Sequence, residues 1–344
     1  MAQINKPTDY FDIKLWTGNG STQTISGLSF QPDLVWGKSR STNYEQSWID
    51  SVRGGTKYLF SNGTSAESTD VNAITAFNSD GYDLGSSPYI GNANTITYVG
   101  WNWLAGGTAS SNTDGSITSQ VSANTTSGFS IVSYTGNGSA GATVGHGLGT
   151  TPSLMIFKDR DNTRDWIVYH KDLGATKFIK LNLTDASGTT SGYFNNTEPT
   201  SSLFTVGSGT SVNNSGTDYI SYCFAEKKGF SKFGSYTGNG SADGTFVYTG
   251  FKPSWVMVKA ASSTGSWNMY DNKRETFNVM DSLLFAEGNY SESTSSVNLI
   301  DFTSNGFKCR GTGSGTNDSA ITYIYMAFAE NPLVGTNNIP ATAR

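Results

Sequence analysis

The pentapeptide Thr-Gly-Asn-Gly-Ser occurs three times, at 17–21, 135–139 and 237–241, each copy directly after an aromatic residue: Trp16, Tyr134 and Tyr236. This repetition constrains the chain more than any single residue does. Self-similarity at a fixed long period marks a tandem array of structural units. The motif has the chemistry of a tight turn. Asn-Gly tolerates positive φ at low cost, so it is expected to close a hairpin at the end of an apolar strand.

Other landmarks keep step with it. A proline opens an apolar run that ends in lysine, at Pro32 to Lys38, Pro152 to Lys158 and Pro253 to Lys259. A tryptophan follows at Trp48, Trp166 and Trp267, which lie 32, 32 and 31 positions after the opening aromatic. Each unit closes on a tyrosine strand that begins at Tyr98, Tyr219 or Tyr323. The units are collinear, so the differences in spacing fall where loops are expected.

The 344 residues therefore divide into an N-terminal arm (1–9), a first unit (10–107), a linker (108–127), a second unit (128–227), a third unit (228–333) and an extended tail (334–344). Residues 108–127 are rich in Ser, Thr, Asn and Gly, as linkers are. Between the second and third units there is only Lys227-Lys228-Gly229, a joint short enough to fix their relation. Each unit offers six to eight short strand candidates, as in Phe11, Ile13 and Leu15 alternating with polar neighbours. No amphipathic helix of three turns is apparent. The expected fold is all-β: three tandem lectin-like antiparallel β-sandwiches of jelly-roll type, each of roughly 100 residues. A β-helix would repeat at a far shorter period.

Composition narrows the function. Charged residues make up 14% and the net charge is −5, with no basic cluster, so a nucleic-acid footprint is not expected. The two cysteines, Cys223 and Cys309, lie in different units and read as buried thiols, not a disulfide framework. The N-terminus has neither the basic nor the apolar region of a signal peptide, and no stretch is long enough to insert in a membrane.

Chemistry-bearing residues are sparse. Of the two histidines, His146 sits in a glycine-rich loop and His170 follows the second unit's tryptophan. No catalytic triad, metal-ligand spacing or recurring carboxylate pair is present, so no catalytic residue, metal or cofactor is expected and the chain reads as a non-enzyme. Trp36, Trp101, Trp103, Trp166, Trp255 and Trp267 fall on strand-patterned positions and read as core. The most suggestive polar element is an aspartate three residues before an arginine, Asp50/Arg53 in the first unit and Asp271/Arg274 in the third. A local charge-assisted pair that orders the loop is the plainer reading. A ligand-facing fork for a sugar or carboxylate is the functional one, and these four residues are the candidate binding residues. The second unit has His170-Lys-Asp-Leu173 in that place.

The opening Asn-Lys-Pro-Thr-Asp-Tyr-Phe-Asp-Ile-Lys-Leu-Trp-Thr-Gly-Asn-Gly-Ser, the segments Asp50-Ser-Val-Arg-Gly, Gly128-Phe-Ser-Ile-Val-Ser-Tyr-Thr-Gly-Asn-Gly-Ser, Trp166-Ile-Val-Tyr-His and Tyr323-Ile-Tyr-Met-Ala-Phe-Ala-Glu-Asn-Pro, and the closing Ile-Pro-Ala-Thr-Ala-Arg resemble an uncharacterised repeat-domain family of marine bacteriophage virion proteins. The similarity covers nearly the whole chain. It implies a virion structural protein of the kind labelled tail fibre, and it brings no catalytic residues with it. The expected function is a tail-fibre or receptor-binding adhesin contacting host-surface polysaccharide. The rival is a capsid decoration protein bound to the phage's own shell. Expected partners are other virion proteins and, by analogy with phage fibres, further copies of the chain as a homotrimer. The expected location is the virion, assembled in the bacterial host cytoplasm.

Overall fold

The computed structural model describes residues 3–331, 333–334 and 340–341. The chain is all-β, and its sheets are antiparallel. Sheet I runs in the order Phe11–Thr17, Thr97–Trp103, Leu34–Ser39, Ser47–Asp50, Lys57–Phe60, Ser68–Thr69. Sheet III has the same order in Ser231–Thr237, Thr322–Ala329, Pro253–Ala260, Trp267–Asp271, Ser282–Phe285, Ser293–Thr294. Sheet II repeats it in Phe129–Thr135, Asp218–Phe224, Leu154–Asp159, Ile167–His170, Lys177–Lys180, Gly188–Thr189. Two further strands, Ser110–Asn112 and Ser119–Asn124, extend sheet II at its Phe129–Thr135 edge.

The linker expected over 108–127 is thus largely replaced by a hairpin. Alternation explains the difference. Ile117 and Val121 are buried against the second block's core, while Gln120 between them and the outer strand faces water. The N-terminal arm is also held in place. Ile4 is buried in the core, and its N–H donates to the Lys228 carbonyl at 3.1 Å. The tail expected over 334–344 lies outside the described residues, except for a short pairing of Leu333–Val334 with Pro340–Ala341.

Each large sheet is covered on both faces. On one side lies a smaller companion sheet: Gln23–Ile25, Gly81–Leu84 and Ile74–Asn78 for sheet I; Ala142–Gly145 and Leu203–Val206 for sheet II; Phe246–Tyr248, Gly306–Cys309 and Ile300–Thr303 for sheet III. On the other side the three large sheets face one another. Trp36, Trp48, Trp101 and Trp103 from sheet I, Ile156, Trp166 and Tyr222 from sheet II, and Trp255, Met257, Trp267 and Phe328 from sheet III form one contiguous core. This double burial explains why the proline-to-lysine runs are continuous rather than alternating: Leu34–Ser39, Leu154–Asp159 and Pro253–Ala260 are buried at every residue. Each block keeps a core of its own between its large and companion sheets, and the three add a shared core where their inner faces meet.

The Thr-Gly-Asn-Gly-Ser motif does not close a hairpin. It turns the chain from a large sheet into the companion sheet, as from Phe11–Thr17 to Gln23–Ile25. The two glycines have separate reasons. Gly20, Gly138 and Gly240 have φ of 70°, 74° and 66°. Gly18, Gly136 and Gly238 have ordinary φ, but a Cβ on them would lie 2.2, 2.4 and 2.2 Å from the carbonyl oxygens of Ala93, Asn214 and Asp318. A buried asparagine holds each turn. Asn213 accepts from the N–H of Asn137 at 2.9 Å and donates to the carbonyls of Ser139 and Gly207 at 2.9 and 2.8 Å. Asn92 and Asn317 make equivalent contacts with their own turns. The preceding aromatic stacks on the closing-strand tyrosine, with ring centroids 5.5 Å apart for Trp16–Tyr98, 5.3 Å for Tyr134–Tyr219 and 5.1 Å for Tyr236–Tyr323.

Candidate functional site

The four expected binding residues lie at the seams between blocks, sealed from solvent. The side chains of Asp50, Arg53, Asp271 and Arg274 are 0% exposed. Arg53 Nε donates to Asp50 Oδ2 at 2.5 Å, and its Nη2 donates to the Trp48 carbonyl at 2.8 Å. Tyr222, from sheet II, donates to the same carboxylate at 2.7 Å. Arg274 repeats the arrangement, with Nε donating to Asp271 Oδ2 at 2.5 Å and Nη2 to the Met269 carbonyl at 2.9 Å. Trp101 Nε1, from sheet I, completes it at 3.1 Å. Burial disfavours both guanidinium ions, but their aspartate and glutamate neighbours outweigh it and hold them firmly protonated. No face of either fork is left for a ligand, so the local ordering pair is the reading the geometry supports.

The seams form a cycle. The backbone N–H of Glu67 donates to the Arg160 carbonyl at 2.7 Å, that of Ser187 to Ala261 at 2.9 Å, and that of Glu292 to Arg40 at 2.8 Å. At the first seam Glu67 bridges Arg53 and Arg160. At the third, Glu292 bridges Arg274 and Arg40. At the second seam no arginine fork is found among the described residues, and Glu226 pairs instead with Lys171 at 2.8 Å and with Lys232 of the third block at 2.5 Å. There His170 occupies the place of Asp50 and Asp271 in the sheet register, and its Nε2 lies 3.4 Å from the Tyr325 carbonyl. Divergence of the motif in the second block is therefore a change of seam.

Register also corrects one landmark. Trp48 pairs with Trp36 as Val168 does with Ile156 and Met269 with Met257, so Trp48 is two residues out of step with Trp166 and Trp267. Their true counterpart is Gln46. Trp166 Nε1 donates to the Phe60 carbonyl and Trp267 Nε1 to that of Lys180, both at 2.9 Å; Gln46 Nε2 donates to Phe285, to Ala286 at 3.0 Å and to Gly288 at 2.7 Å.

The end lysines of the three apolar runs reach across the same seams. Lys38 Nζ donates to the Asn289 carbonyl at 2.8 Å, Lys158 to Thr64 at 3.1 Å and Lys259 to Asp185 at 2.9 Å. Burial pulls them down from 10.5, to about 7 for Lys38 and about 8 for Lys158 and Lys259.

Beside these lysines an opening lies between the three blocks, a pocket of about 670 Å³ lined by loops from all three. That volume falls within the range of small-ligand sites. Its walls are polar. Asn62 pairs with Glu45, and Asn182 Nδ2 donates to Asp165 Oδ1 at 2.9 Å. Asn62, Asn182 and Glu287 each accept the N–H of the residue that donates across the seam: Gln46, Trp166 and Trp267, all at 2.9 Å. Burial raises the Glu287 carboxyl above its usual range. Tyr290 stands on the rim, 62% exposed. Sequence reasoning missed this site, because its residues are far apart in the chain and none belongs to the repeated motif. The available signal was an asparagine sixteen positions after Gln46 and again after Trp166.

The remaining candidates are structural. His146 is buried, with Nε2 3.2 Å from the Thr200 carbonyl and Nδ1 accepting from the Leu148 N–H. Cys223 and Cys309 are free and buried, and the six named tryptophans are all buried. Among the described residues no group of acidic, histidine and cysteine side chains is placed to hold a metal, and no helix is long and apolar enough to cross a membrane. No curated protein and no solved structure matches the chain. One family does match, over residues 6–332: the protein belongs to the family described as Domain of unknown function (DUF7483).

Proposed function

We propose that this protein is a bacteriophage virion structural protein that works as a tail-fibre or receptor-binding adhesin for host-surface glycans, with no catalytic activity of its own. The central pocket carries this reading. It is a concave opening whose amide and carboxylate groups present paired donors and acceptors, with the Tyr290 ring at its edge. Sugars offer the complementary surface, hydroxyls for the polar pairs and an apolar ring face for the aromatic. The shared strand order and the companion sheets support reading each block as a lectin-like sandwich of jelly-roll type. Other virion proteins are the proposed partners and the virion, assembled in the host cytoplasm, the proposed location. A homotrimer adds avidity under this reading, although the core needs no second copy to close it.

A decoration protein on the phage shell is the second reading. It is favoured by Phe246 and Tyr248, 46% and 64% exposed on an edge strand of the third companion sheet, which suit burial against a neighbouring protein. Gold-labelled antibody against the chain, imaged on intact particles, separates the two. Label on tail projections, with glycan binding that is lost in Tyr290→Ala, is the expected result. Label spread regularly over the capsid overturns the adhesin reading.

A further inference from the structure

The third block differs from the first in the loop that follows its buried arginine. Three residues, Gly54, Gly55 and Thr56, join Arg53 to the strand Lys57–Phe60. Seven residues, 275–281, join Arg274 to Ser282–Phe285. Insertions confined to one unit of an array fall on loops, often on a binding face. This loop carries Phe277, the most exposed of the large apolar side chains at 81%.

Phe277 lines a cleft of about 690 Å³ between the base of sheet III and its companion sheet. The first block has a smaller counterpart of about 430 Å³. Register matches the two: Gln31, Ser51, Val52 and Phe77 stand where the third block has Lys252, Asn272, Lys273 and Phe302. Val52 packs against the core, whereas Lys273 is exposed. Charge within the cleft is uneven. Glu330 pairs with Lys252 at 2.8 Å and Asp301 with Arg310 at 3.1 Å. Nearby Glu275 accepts the N–H groups of Asp281 and Ser282. Among the described residues Lys273 has no carboxylate partner. One polar atom is also left over: Asn272 Oδ1 is buried and accepts no hydrogen bond. A buried acceptor without a donor is costly unless a ligand or water completes it.

We propose that this cleft binds an acidic saccharide. A sugar ring lies on the Phe277 face, its carboxylate meets the Lys273 ammonium, and a rotation of the Asn272 side chain brings its Oδ1 out to accept from a sugar hydroxyl. This inference rests on the glycan-adhesin reading but assigns a second site, specific to the third block, and a ligand charge. Neither Phe277 nor Lys273 supports the fold, so both can be replaced without loss of structure.

The test titrates the full chain with a panel of carboxylated tetrasaccharides and their carboxyl-reduced counterparts. The expected result is binding of at least one acidic member, weakened roughly tenfold or more by Phe277→Ala and by Lys273→Gln, with Tyr290→Ala retaining it. The carboxyl-reduced form is expected to bind the parent chain as weakly as the acidic form binds Lys273→Gln. Binding that survives both cleft variants but disappears in Tyr290→Ala overturns the cleft assignment and leaves the adhesin reading standing. Equal affinity for acidic and reduced forms overturns the charge assignment. No binding by any member overturns the inference, and a full glycan array that is also blank removes the adhesin reading with it.

Discussion

Buried charge in this protein is held in chains that cross from one block to the next. Arg53 meets Asp50 and Glu67 and, through Glu67, Arg160. Truncating one member of such a chain strands the others without water. Arg53→Ala is therefore expected to cost about 3–5 kcal/mol, whereas Asp50→Leu combined with Arg53→Met costs much less. Urea unfolding at constant slope measures both, and equal losses would count against a charge-stranding origin. The seam lysines set the dependence on pH. Burial lowers Lys38 to about 7 and Lys158 and Lys259 to about 8, so between there and 10.5 the unfolded chain holds more protons than the folded one. Stability rises with pH over that window. Burial raises Tyr134, Tyr222, Tyr236 and Tyr270, which keep protons that the unfolded chain loses above about 10, and there the slope reverses. The urea midpoint is expected to climb from about pH 7 to about pH 9 and to fall beyond about pH 10. Lys158→Met should flatten part of the climb. A midpoint that already declines above pH 7 would contradict it.

At the scale of the element, the sequence made the strands and their spacing visible, but not their partners. The apolar runs are legible because double burial forces an unbroken hydrophobic stretch. The Asn-Gly turn is legible because positive φ leaves a chemical mark, yet that mark says nothing of whether the next strand pairs with the last one or leaves for another sheet. Trp48 was misaligned with Trp166 because a slip of two residues keeps a side chain on the same face of a strand. The Asp/Arg motif showed that a loop is ordered but not that the next block covers it. The hairpin at Ser110–Asn112 and Ser119–Asn124 was hidden by its Ser-, Thr- and Asn-rich composition, with only Ile117 and Val121 marking the buried side. Ile117 also bridges to Val144 of the second companion sheet. Ile117→Ala is accordingly expected to lower stability by about 2 kcal/mol, near the small end for such truncations at a site by the edge. A true linker would show no change in thermal unfolding midpoint.

For the whole molecule, the decisive fact is that one core serves three sheets. Trp255 illustrates it. The ring belongs to sheet III, yet its neighbours include Phe11, Trp36, Trp101 and Trp103 of sheet I, with centroids 6.4, 6.4, 6.3 and 6.1 Å away. Trp103 in turn packs on Phe224 of sheet II at 6.2 Å, and Trp48 on Tyr222 at 4.7 Å. A cavity at Trp255 therefore opens between sheets III and I, beside the Trp103 ring that packs on sheet II, and no block can release its inner face without exposing the other two. Trp255→Ala is expected to cost about 3–5 kcal/mol, and the loss should appear as faster amide exchange throughout the molecule. Hydrogen exchange read by mass spectrometry distinguishes this from three independent domains. With a shared core, the slowest amides of Phe11–Thr17 and Phe129–Thr135 accelerate along with those of Pro253–Ala260. With separate domains, only peptides from 228–333 would respond. The same logic bears on the two loop sites. The central pocket exists only while the three seams are closed, whereas the Phe277 cleft lies within one block, so weakening the Arg40–Glu292 seam from the first block's side by Arg40→Gln should impair ligand binding at the first before the second.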